Sequence, residues 1–327
     1  MKKCLIFSHE SDIDGLGSVV LAKLAFKEVD YVLEHNPQAL EPVVREYFES
    51  NKLDEYEKIF ITDLALEDPA LTMIAESNIS KKIQIIDHHE RAIKLNLNRY
   101  SFTTIIEEDI KRRCATELFY EYLVKNNYLT PTKALDDFVE YTRLEDTWTW
   151  KNYNEYGIKA HDLAILHTII GKDKYIEEMY KKLSSCTEFT YTEEETQLIN
   201  EKKEKIKKYI EDTLPELEYL KDEDNNKYAA GFIDYEYRNE ITEYIIENNN
   251  PNDIKYIIIV ALEKGKYGQK SYRSVYDDFN VNNIAMKHGG GGHPKAAAVN
   301  ITKEQKEKIK DMSKQEALIY LVNANSK

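Results

Sequence analysis

The chain has 327 residues, of which 42% are hydrophobic and 32% are charged, and its formal net charge is −14. The hydrophobic share excludes an intrinsically disordered chain, because disorder goes with too few apolar residues to form a core. The net charge argues against a broad basic surface that grips long nucleic acids through many phosphates. The length predicts about two domains.

The cysteines and the apolar runs indicate the cellular compartment of the protein. Three scattered cysteines fit reduced thiols in a cytoplasmic protein better than a disulfide framework. The longest apolar run, residues 256–262, is far shorter than the roughly 20 residues that span a bilayer. We therefore expect a cytoplasmic protein without a membrane span.

The first part of the chain alternates strand and helix patterns. Periodic segments predict helices at about 15–27, 40–50 and 67–77. Short apolar runs between them predict strands at 4–8, 29–34, 58–62 and 82–86. Such alternation is typical of a buried, mainly parallel sheet covered by helices. The predicted fold is α/β, with a doubly wound sheet in the amino-terminal lobe.

Three further segments follow that sheet. A helical extension covers about 114–184, and its helix at 132–144 leads into Asp146; Trp148 and Trp150 are interpreted as a cap that packs this extension. A charged segment predicts a solvated helical linker. The remaining residues predict a smaller α/β lobe with strands at 228–233, 255–262 and 269–275, a helix at about 238–248 and a final helix from about 303. The predicted domains are 1–185, 186–225 (the linker) and 226–327.

Acidic and imidazole residues follow three of the predicted strands. Residues at the carboxyl ends of parallel strands converge on one crevice of the sheet. Two adjacent imidazoles beside a carboxylate have no ordinary packing reason to end a buried strand. The pattern is that of a two-metal phosphoesterase site. Its residues are Asp12, Asp14, Asp63, Asp87, His88 and His89.

The ligand types indicate the cation. Mixed carboxylate and imidazole ligands suit Mn²⁺, with Mg²⁺, Co²⁺ or Fe²⁺ as alternatives, and the absence of clustered cysteines argues against a thiolate zinc site. Two such ions about 4 Å apart lower the pKa of a bridging water and align it for attack on phosphorus. We therefore expect two Mn²⁺ ions and a hydroxide nucleophile.

A run of four glycines, residues 289–292, lies near the end of the chain. Consecutive backbone N–H groups without Cβ atoms can surround an oxyanion, although a bare glycine run is more often a flexible connector. Histidines flank the run, and an arginine on the preceding predicted strand offers a fork of donors to a phosphate. The predicted substrate-binding residues are Arg273, Gly290, Gly291, Gly292 and His293.

Taken together, these motifs resemble the DHH superfamily of phosphoesterases over nearly the whole chain. Asp87-His88-His89 is similar to the triplet that names the superfamily, and residues 12–15 with His9 are similar to its first motif. Thr62-Asp63 is similar to the second motif, and Asp146 in Leu144-Glu145-Asp146-Thr147 to the fourth. The glycine-rich segment, residues 288–297, resembles the DHH-associated domain.

The resemblance implies roles for these residues. One metal would be held by His9, Asp12 and Asp63. The other would be held by Asp14, Asp63, His88 and Asp146. His89, beside the substrate phosphate, and Asp87 are the predicted catalytic residues. Several branches of the superfamily place the histidine four residues before the first aspartate, whereas His9 stands three before Asp12, so the alternative for His9 is a polar residue at the crevice edge.

The resemblance also implies the activity. We expect a metal-dependent phosphohydrolase that cleaves short oligoribonucleotides or small nucleotides, most similar to nano-RNase and cyclic-nucleotide phosphodiesterase members. The alternatives are an inorganic pyrophosphatase or exopolyphosphatase, and a nucleotide-binding regulator without catalysis. The expected partner is short RNA or a small nucleotide, with no grip on long nucleic acid. The oligomeric state is left open, a homodimer included.

Overall fold

The computed structural model describes residues 3–323, except 90–91, 94–95, 106–111, 249, 251, 264–265, 277 and 293. The chain divides into two compact units, Met1–Asn200 and Glu201–Lys327. The strands are β1 Lys3–His9, β2 Glu28–Glu34, β3 Lys58–Thr62, β4 Ile83–Asp87, β5 Thr103–Ile105, β6 Glu218–Lys221, β7 Lys227–Asp234, β8 Tyr256–Glu263, β9 Lys266–Ser274, β10 Gly291–Gly292 and β11 Ala296–Asn300.

The α-helices among the described residues are α1 Ile13–Ala25, α2 Pro37–Glu49, α3 Asp68–Ala75, α4 Ala115–Lys125, α5 Lys133–Asp146, α6 Asn154–Ile170, α7 Lys172–Ser185, α8 Glu193–Thr213, α9 Arg238–Glu247, α10 Val281–Lys287, α11 Lys303–Lys308 and α12 Lys314–Asn323. Short 3₁₀ helices lie at Lys52–Glu55, Asn78–Lys81, Leu97–Arg99, Trp150–Asn152, Leu214–Glu216 and Tyr235–Tyr237. No α-helix in the described part of the chain is long and apolar enough to cross a membrane.

The first unit is built on a parallel sheet with the order β2-β1-β3-β4-β5. Successive side chains of a strand point to opposite faces. In β1, Cys4 and Ile6 pack with α1, α4 and α5 on one face, whereas Leu5 and Phe7 pack with α2 and α3 on the other. The predicted doubly wound sheet is therefore confirmed. The short edge strand β5 was not predicted, because three residues are too few to show the alternation of apolar and polar residues that identifies a strand.

The second unit contains a mixed sheet with the order β10-β11-β9-β8-β7-β6. The β7–β8 pair is parallel and the other pairs are antiparallel. Apolar clusters cover both faces: α10 and α12 contribute to one, and α9 contributes to the other. The predicted smaller α/β lobe is confirmed.

Two details of the second half differ from the sequence expectations. Residues 186–225 contain the expected charged helix, α8. They also contain strand β6, whose four residues are predicted above to belong to the helical linker. The final helix expected from about 303 is two helices, α11 and α12. Ser313 accounts for the new start, because its Oγ accepts the N–H of Glu316 at 3.3 Å while the Glu316 carboxylate accepts the N–H of Ser313 at 2.9 Å.

Candidate two-metal active site

The turn after β1 brings α1 close to the end of the strand. The buried Ser8 donates its hydroxyl to the carbonyl of Gly15 at 2.8 Å and lies 2.8 Å from the Thr62 hydroxyl at the end of β3. A Cβ on Gly15 would lie 2.2 Å from the carbonyl oxygen of His9, so this approach requires glycine. Because β1, β3 and β4 are neighbours in the sheet, the residues after them meet at one edge.

His9, Asp12 and Asp63 form the first group of candidate ligands. Asp12 caps α1, with its Oδ1 accepting the N–H of Gly15 at 3.0 Å. His9 Nδ1 lies 2.6 Å from Asp12 Oδ2 and 3.5 Å from Asp63 Oδ2. The three ligand atoms lie within 4.8 Å of one another. They have the spacing of donors around one cation.

Asp14, His88 and Asp146 form the second group, whose ligand atoms also lie within 4.8 Å of one another. His88 Nε2 is 3.6 Å from Asp14 Oδ2 and 3.7 Å from Asp146 Oδ2. Asp14 is fully buried, and its two oxygens accept the N–H groups of Ala115 and Thr116, each at 2.7 Å. These N–H groups begin α4, so the helix dipole stabilises the carboxylate.

Asp63 lies between the two groups. Its Oδ2 faces His9, and its Oδ1 is 3.4 Å from His88 Nε2. Asp63 is 3% exposed and has a φ of 61°, a left-handed conformation that aspartate tolerates better than most other residues. One carboxylate thus presents one oxygen to each group, which is the arrangement of a bridging ligand.

Asp87 holds the second histidine of the triplet. Its Oδ1 accepts the backbone N–H of His88 at 2.8 Å and that of His89 at 3.2 Å, and it lies 2.7 Å from His89 Nδ1. Asp87 is buried, whereas the His89 side chain is 49% exposed. A carboxylate on Nδ1 fixes the proton there and orients the ring. His89 Nε2 remains as its second functional nitrogen.

The imidazoles carry strongly shifted pKa values. Although burial lowers it, hydrogen bonds with Asp12 and Asp63 raise the pKa of His9 to about 11. Burial likewise opposes the rise at His88, but the carboxylates around it, with Asp63 foremost, raise its pKa to about 11. Asp87 and Asp63 raise the pKa of His89 to about 9 against the effect of burial. The neighbouring carboxylates therefore stabilise the protonated, positively charged forms of these imidazoles.

The carboxylates respond to the same crowding. Burial, followed by the charge of Asp63, raises the pKa of Asp14 to about 6. Burial and the charge of Asp14 raise the pKa of Asp146 well above its usual value. For Asp63, burial is outweighed by the close imidazoles of His88 and His9, and its pKa is lowered. Three neighbouring carboxylates in a buried site need a cation to share it at neutral pH.

Two orphaned atoms test whether a metal fits. Within the described residues, His88 Nε2 and Asp146 Oδ2 are buried and accept or donate no hydrogen bond. Buried polar atoms are almost always paired, and both atoms belong to the second ligand group. Carboxylate oxygens and imidazole nitrogens are donors that first-row divalent metals accept. The residues fit a metal centre.

The predicted substrate-binding residues belong to the second unit. Arg273 Nε donates to Asn239 Oδ1 at 3.3 Å, and its Nη1 donates to the carbonyl of Tyr272 at 3.2 Å. Gly291 and Gly292 form β10, and a Cβ on Gly290 would lie 2.1 Å from the carbonyl oxygen of Ala298. The glycine run is thus partly an edge strand. His293 lies outside the described residues.

Arg238, which the sequence analysis missed, accompanies Arg273. Burial and the charge of Arg238 lower the pKa of Arg273 to about 10. The Arg238 guanidinium lies 3.7 Å from the centre of the Tyr235 ring. No carboxylate in the described part of the chain lies within ion-pair distance of either guanidinium. Arg238 begins a helix without any local motif, so the sequence alone offered no signal.

The interpretation of the two tryptophans was half wrong. Trp150 is partly buried, and its ring stacks on His161 with centroids 4.2 Å apart. Trp148 is 50% exposed and therefore does not cap the helical extension by packing. Its φ of 56° places it in the left-handed region. A sequence gives no warning of such a conformation, since tryptophan rarely adopts it.

The chain is similar to known proteins. The model of the DHH family, N-terminal domain, matches residues 3–141, and the DHHA1 domain matches residues 225–317. Oligoribonuclease NrnB of Bacillus subtilis (strain 168) is 31% identical over 303 residues, which cover 91% of this chain and 73% of NrnB.

Two solved structures share the fold. The DHH domain of a member of a family of ribosomal proteins has a TM-score of 0.62 at 14% identity, with 98% of this chain and 86% of that chain covered. The pGpG-specific phosphodiesterase PggH from Vibrio cholerae has a TM-score of 0.56 at 16% identity, with 99% and 100% covered. On its 31% identity to NrnB and its matches to both domain models, the chain belongs to the DHH family of phosphoesterases and carries a DHHA1 domain.

Proposed function

We propose that this protein is a metal-dependent phosphohydrolase that cleaves the phosphodiester bonds of short oligoribonucleotides or small nucleotides with water. The observation that carries the proposal is the position of Asp63, which presents one oxygen to each of two groups of candidate ligands. Similarity to an oligoribonuclease over most of the chain supports the substrate class. The acidic net charge of −14 favours short substrates over long nucleic acid.

The proposed cofactor is a pair of Mn²⁺ ions, with Mg²⁺ or Co²⁺ as alternatives. His9, Asp12 and Asp63 would hold one ion, and the other would be held by Asp14, Asp63, His88 and Asp146. When bound, two such ions supply an acidified water and stabilise negative charge on the phosphoryl oxygens. The orphaned atoms of His88 and Asp146 support the second position.

His89 and Asp87 are the proposed catalytic pair. With Nδ1 held by Asp87 at 2.7 Å, the His89 ring is fixed in orientation and presents Nε2 as a donor. An N–H at Nε2 can donate to a phosphoryl oxygen or to the leaving oxygen as the P–O bond breaks. The carboxylate of Asp87 stabilises the imidazolium, since its charge raises the pKa of His89.

The second unit is proposed to bind the rest of the substrate. Arg273, Gly290, Gly291, Gly292 and His293 would contact it. The guanidiniums of Arg238 and Arg273 lack carboxylate partners among the described residues, and the charge of Arg238 lowers the pKa of Arg273, which supports an anion as the ligand. In this proposal, residues 1–185 are the catalytic domain, 186–225 a linker and 226–327 the substrate-binding domain. Three free cysteines support a cytoplasmic location.

The test is hydrolysis of a 5′-phosphorylated RNA dinucleotide with Mn²⁺, by the wild type and by Asp87→Ala. We expect mononucleotide release by the wild type and a loss of about 100-fold or more in the variant, because an unoriented acid typically forfeits about two to four powers of ten in rate. Asp173→Ala, which removes an exposed carboxylate of the same unit, is the matched control and should retain activity.

Pyrophosphate and bisphosphorylated adenosine are run in parallel. Turnover of pyrophosphate alone would replace the proposal with a pyrophosphatase. Dinucleotide binding without turnover of any substrate would instead favour a nucleotide-binding regulator. Equal activity of Asp87→Ala and the wild type would remove His89 and Asp87 from the catalytic step.

A further inference from the structure

Trp148 lies directly beyond the end of α5, which finishes at the candidate ligand Asp146. The N–H of Trp148 donates to the carbonyl of Glu145 at 3.0 Å, and the N–H of Thr149 donates to that of Leu144 at 3.0 Å. This pair of bonds is a Schellman motif, and Trp148 occupies its left-handed position with a φ of 56°. That position normally holds glycine, because a Cβ is strained there.

The residue type sets Trp148 apart from the other left-handed residues. Eight non-glycine residues in the described part of the chain have a positive φ, and seven of them are asparagine or aspartate. Short polar side chains tolerate this conformation because they hydrogen-bond locally. A bulky aromatic side chain in it is an outlier that calls for a reason.

Packing does not supply that reason. Trp148 is 50% exposed, so half of the surface of this residue contributes no burial to the fold. Trp150, two residues later, shows the contrast, since its ring stacks on His161 at an interplanar angle of 11°. The strain at Trp148 therefore presents a large aromatic surface to solvent instead of filling the core.

The location supplies the reason. Consecutive Cα atoms are about 3.8 Å apart, so the Cα atoms of Trp148 and Asp146 are separated by at most about 7.6 Å. Asp146 Oδ2 is itself 3.7 Å from His88 Nε2. An exposed aromatic residue thus follows, two positions later, a candidate ligand of the group that is proposed to act on a phosphodiester, and a nucleotide bound at that group can span this separation.

Resting on the proposed function, we propose that Trp148 is a stacking platform for a nucleobase of the oligonucleotide substrate. Every base has a π-face, so stacking strengthens binding with little dependence on sequence. The residue would then select nucleotides over phosphate compounds that have no base, such as pyrophosphate. Trp148 acts here as a specificity residue that contacts the substrate away from the bond that breaks.

Three variants and two substrates test this assignment. The substrates are a 5′-phosphorylated RNA dinucleotide and its abasic analogue with tetrahydrofuran in place of each nucleoside sugar and base. Trp148→Gly should lower kcat/KM for the dinucleotide about 10-fold to 100-fold, the range expected for one stacked base, mainly through KM. The abasic analogue should be cleaved as by the wild type, and Trp148→Phe should keep most of the activity on the dinucleotide.

The control is Tyr219→Ala, which removes another exposed aromatic residue, on β6 of the second unit, and should leave both substrates unaffected. Trp148→Gly should also keep or raise Tm, because glycine relieves the left-handed strain. Lower stability together with lower activity would assign Trp148 to the fold. Equal losses on both substrates would assign it to positioning Asp146, and either result would overturn the proposal.

A binding measurement separates this proposal from the activity itself. In Trp150→Phe, Trp148 is the single remaining tryptophan. Without metal, addition of the dinucleotide should quench its fluorescence, whereas the abasic analogue should not. Quenching without hydrolysis would support the platform while the proposed function fails. Hydrolysis by the wild type without any base-dependent quenching would overturn the platform alone.

Discussion

Lys270 is expected to destabilise the fold at neutral pH. It lies on β9 in the second unit and is 0% exposed. Its Nζ donates to the carbonyl of Leu321, in the last turn of α12, at 3.1 Å. Burial lowers its pKa from 10.5 to about 8. A buried ammonium with one neutral acceptor is poorly compensated for its lost hydration.

The perturbation is Lys270→Met, which keeps a long side chain and removes the charge. The fall in pKa from 10.5 to about 8 corresponds to roughly 3 kcal/mol of stability lost at pH 7. Removing the hydrogen bond to Leu321 costs about 1 kcal/mol. We therefore expect Lys270→Met to raise the free energy of unfolding by about 2 kcal/mol at pH 7.

Urea denaturation at several pH values measures this change. The pKa of Lys270 is lower in the folded than in the unfolded state, so between about pH 8 and pH 10.5 the unfolded chain binds the extra proton. The stability of the wild type should therefore rise by roughly 3 kcal/mol across that window relative to Lys270→Met. The two proteins should be equally stable at about pH 9.5, and the wild type, which keeps the hydrogen bond to Leu321, should be about 1 kcal/mol more stable at the upper end. Gln315→Met, on the exposed surface of α12, is the control for adding a methionine.

Two results would refute this reasoning. A variant that is less stable than the wild type at pH 7 would mean that the contact with Leu321 outweighs the burial of the charge. A constant difference between the two proteins from pH 7 to pH 10.5 would mean that Lys270 titrates normally. In the first case Lys270 would be a stabilising cap on the carboxyl end of α12.

Two further predictions concern the first unit. Gly15→Ala should lower the free energy of unfolding by more than about 2 kcal/mol, because its Cβ would meet the backbone oxygen of His9 at 2.2 Å. Thermal unfolding measures this, and Gly291→Ala, whose Cβ would meet nothing nearer than Asn282 Oδ1 at 4.0 Å, should cost less. Mn²⁺ binding should release protons, since His9 and His88, with pKa values of about 11, are protonated in the metal-free protein at pH 7. Affinity should then rise with pH, and calorimetry should give binding heats that differ between PIPES and Tris; equal heats would contradict the protonated imidazoles.

The parallel sheet and the meeting of distant residues at its edge were predictable from the sequence. Short apolar runs marked β1, β3 and β4, and the rule that ligands gather at the carboxyl ends of parallel strands placed Asp63 near His88. The structure brings these residues together, with 3.4 Å between Asp63 Oδ1 and His88 Nε2. Their roles as metal ligands stay predictions.

Other features depend on contacts that no local pattern encodes. The N–H groups of Ala115 and Thr116 hold Asp14 from about 100 residues away, and only the packing of α4 against α1 produces that bond. Arg238 accompanies Arg273 because α9 covers one face of the second sheet. Trp148 adopts a left-handed backbone conformation that favours glycine, whereas the conformational preferences of tryptophan predict a negative φ at this position. The domain limits at residues 185 and 226 also stay predictions.

The two backbone hydrogen bonds to Asp14 should affect the selectivity of the site between cations of different size. Each carboxylate oxygen already accepts one N–H at 2.7 Å, so the group cannot rotate or slide to suit a larger ion. Calcium relies on mobile, often bidentate carboxylates and six to eight oxygens, whereas manganese and magnesium accept fewer ligands in a fixed frame. A helix that starts about 100 residues downstream would thus act as a size filter, and calcium should compete poorly even when it is far more abundant than manganese.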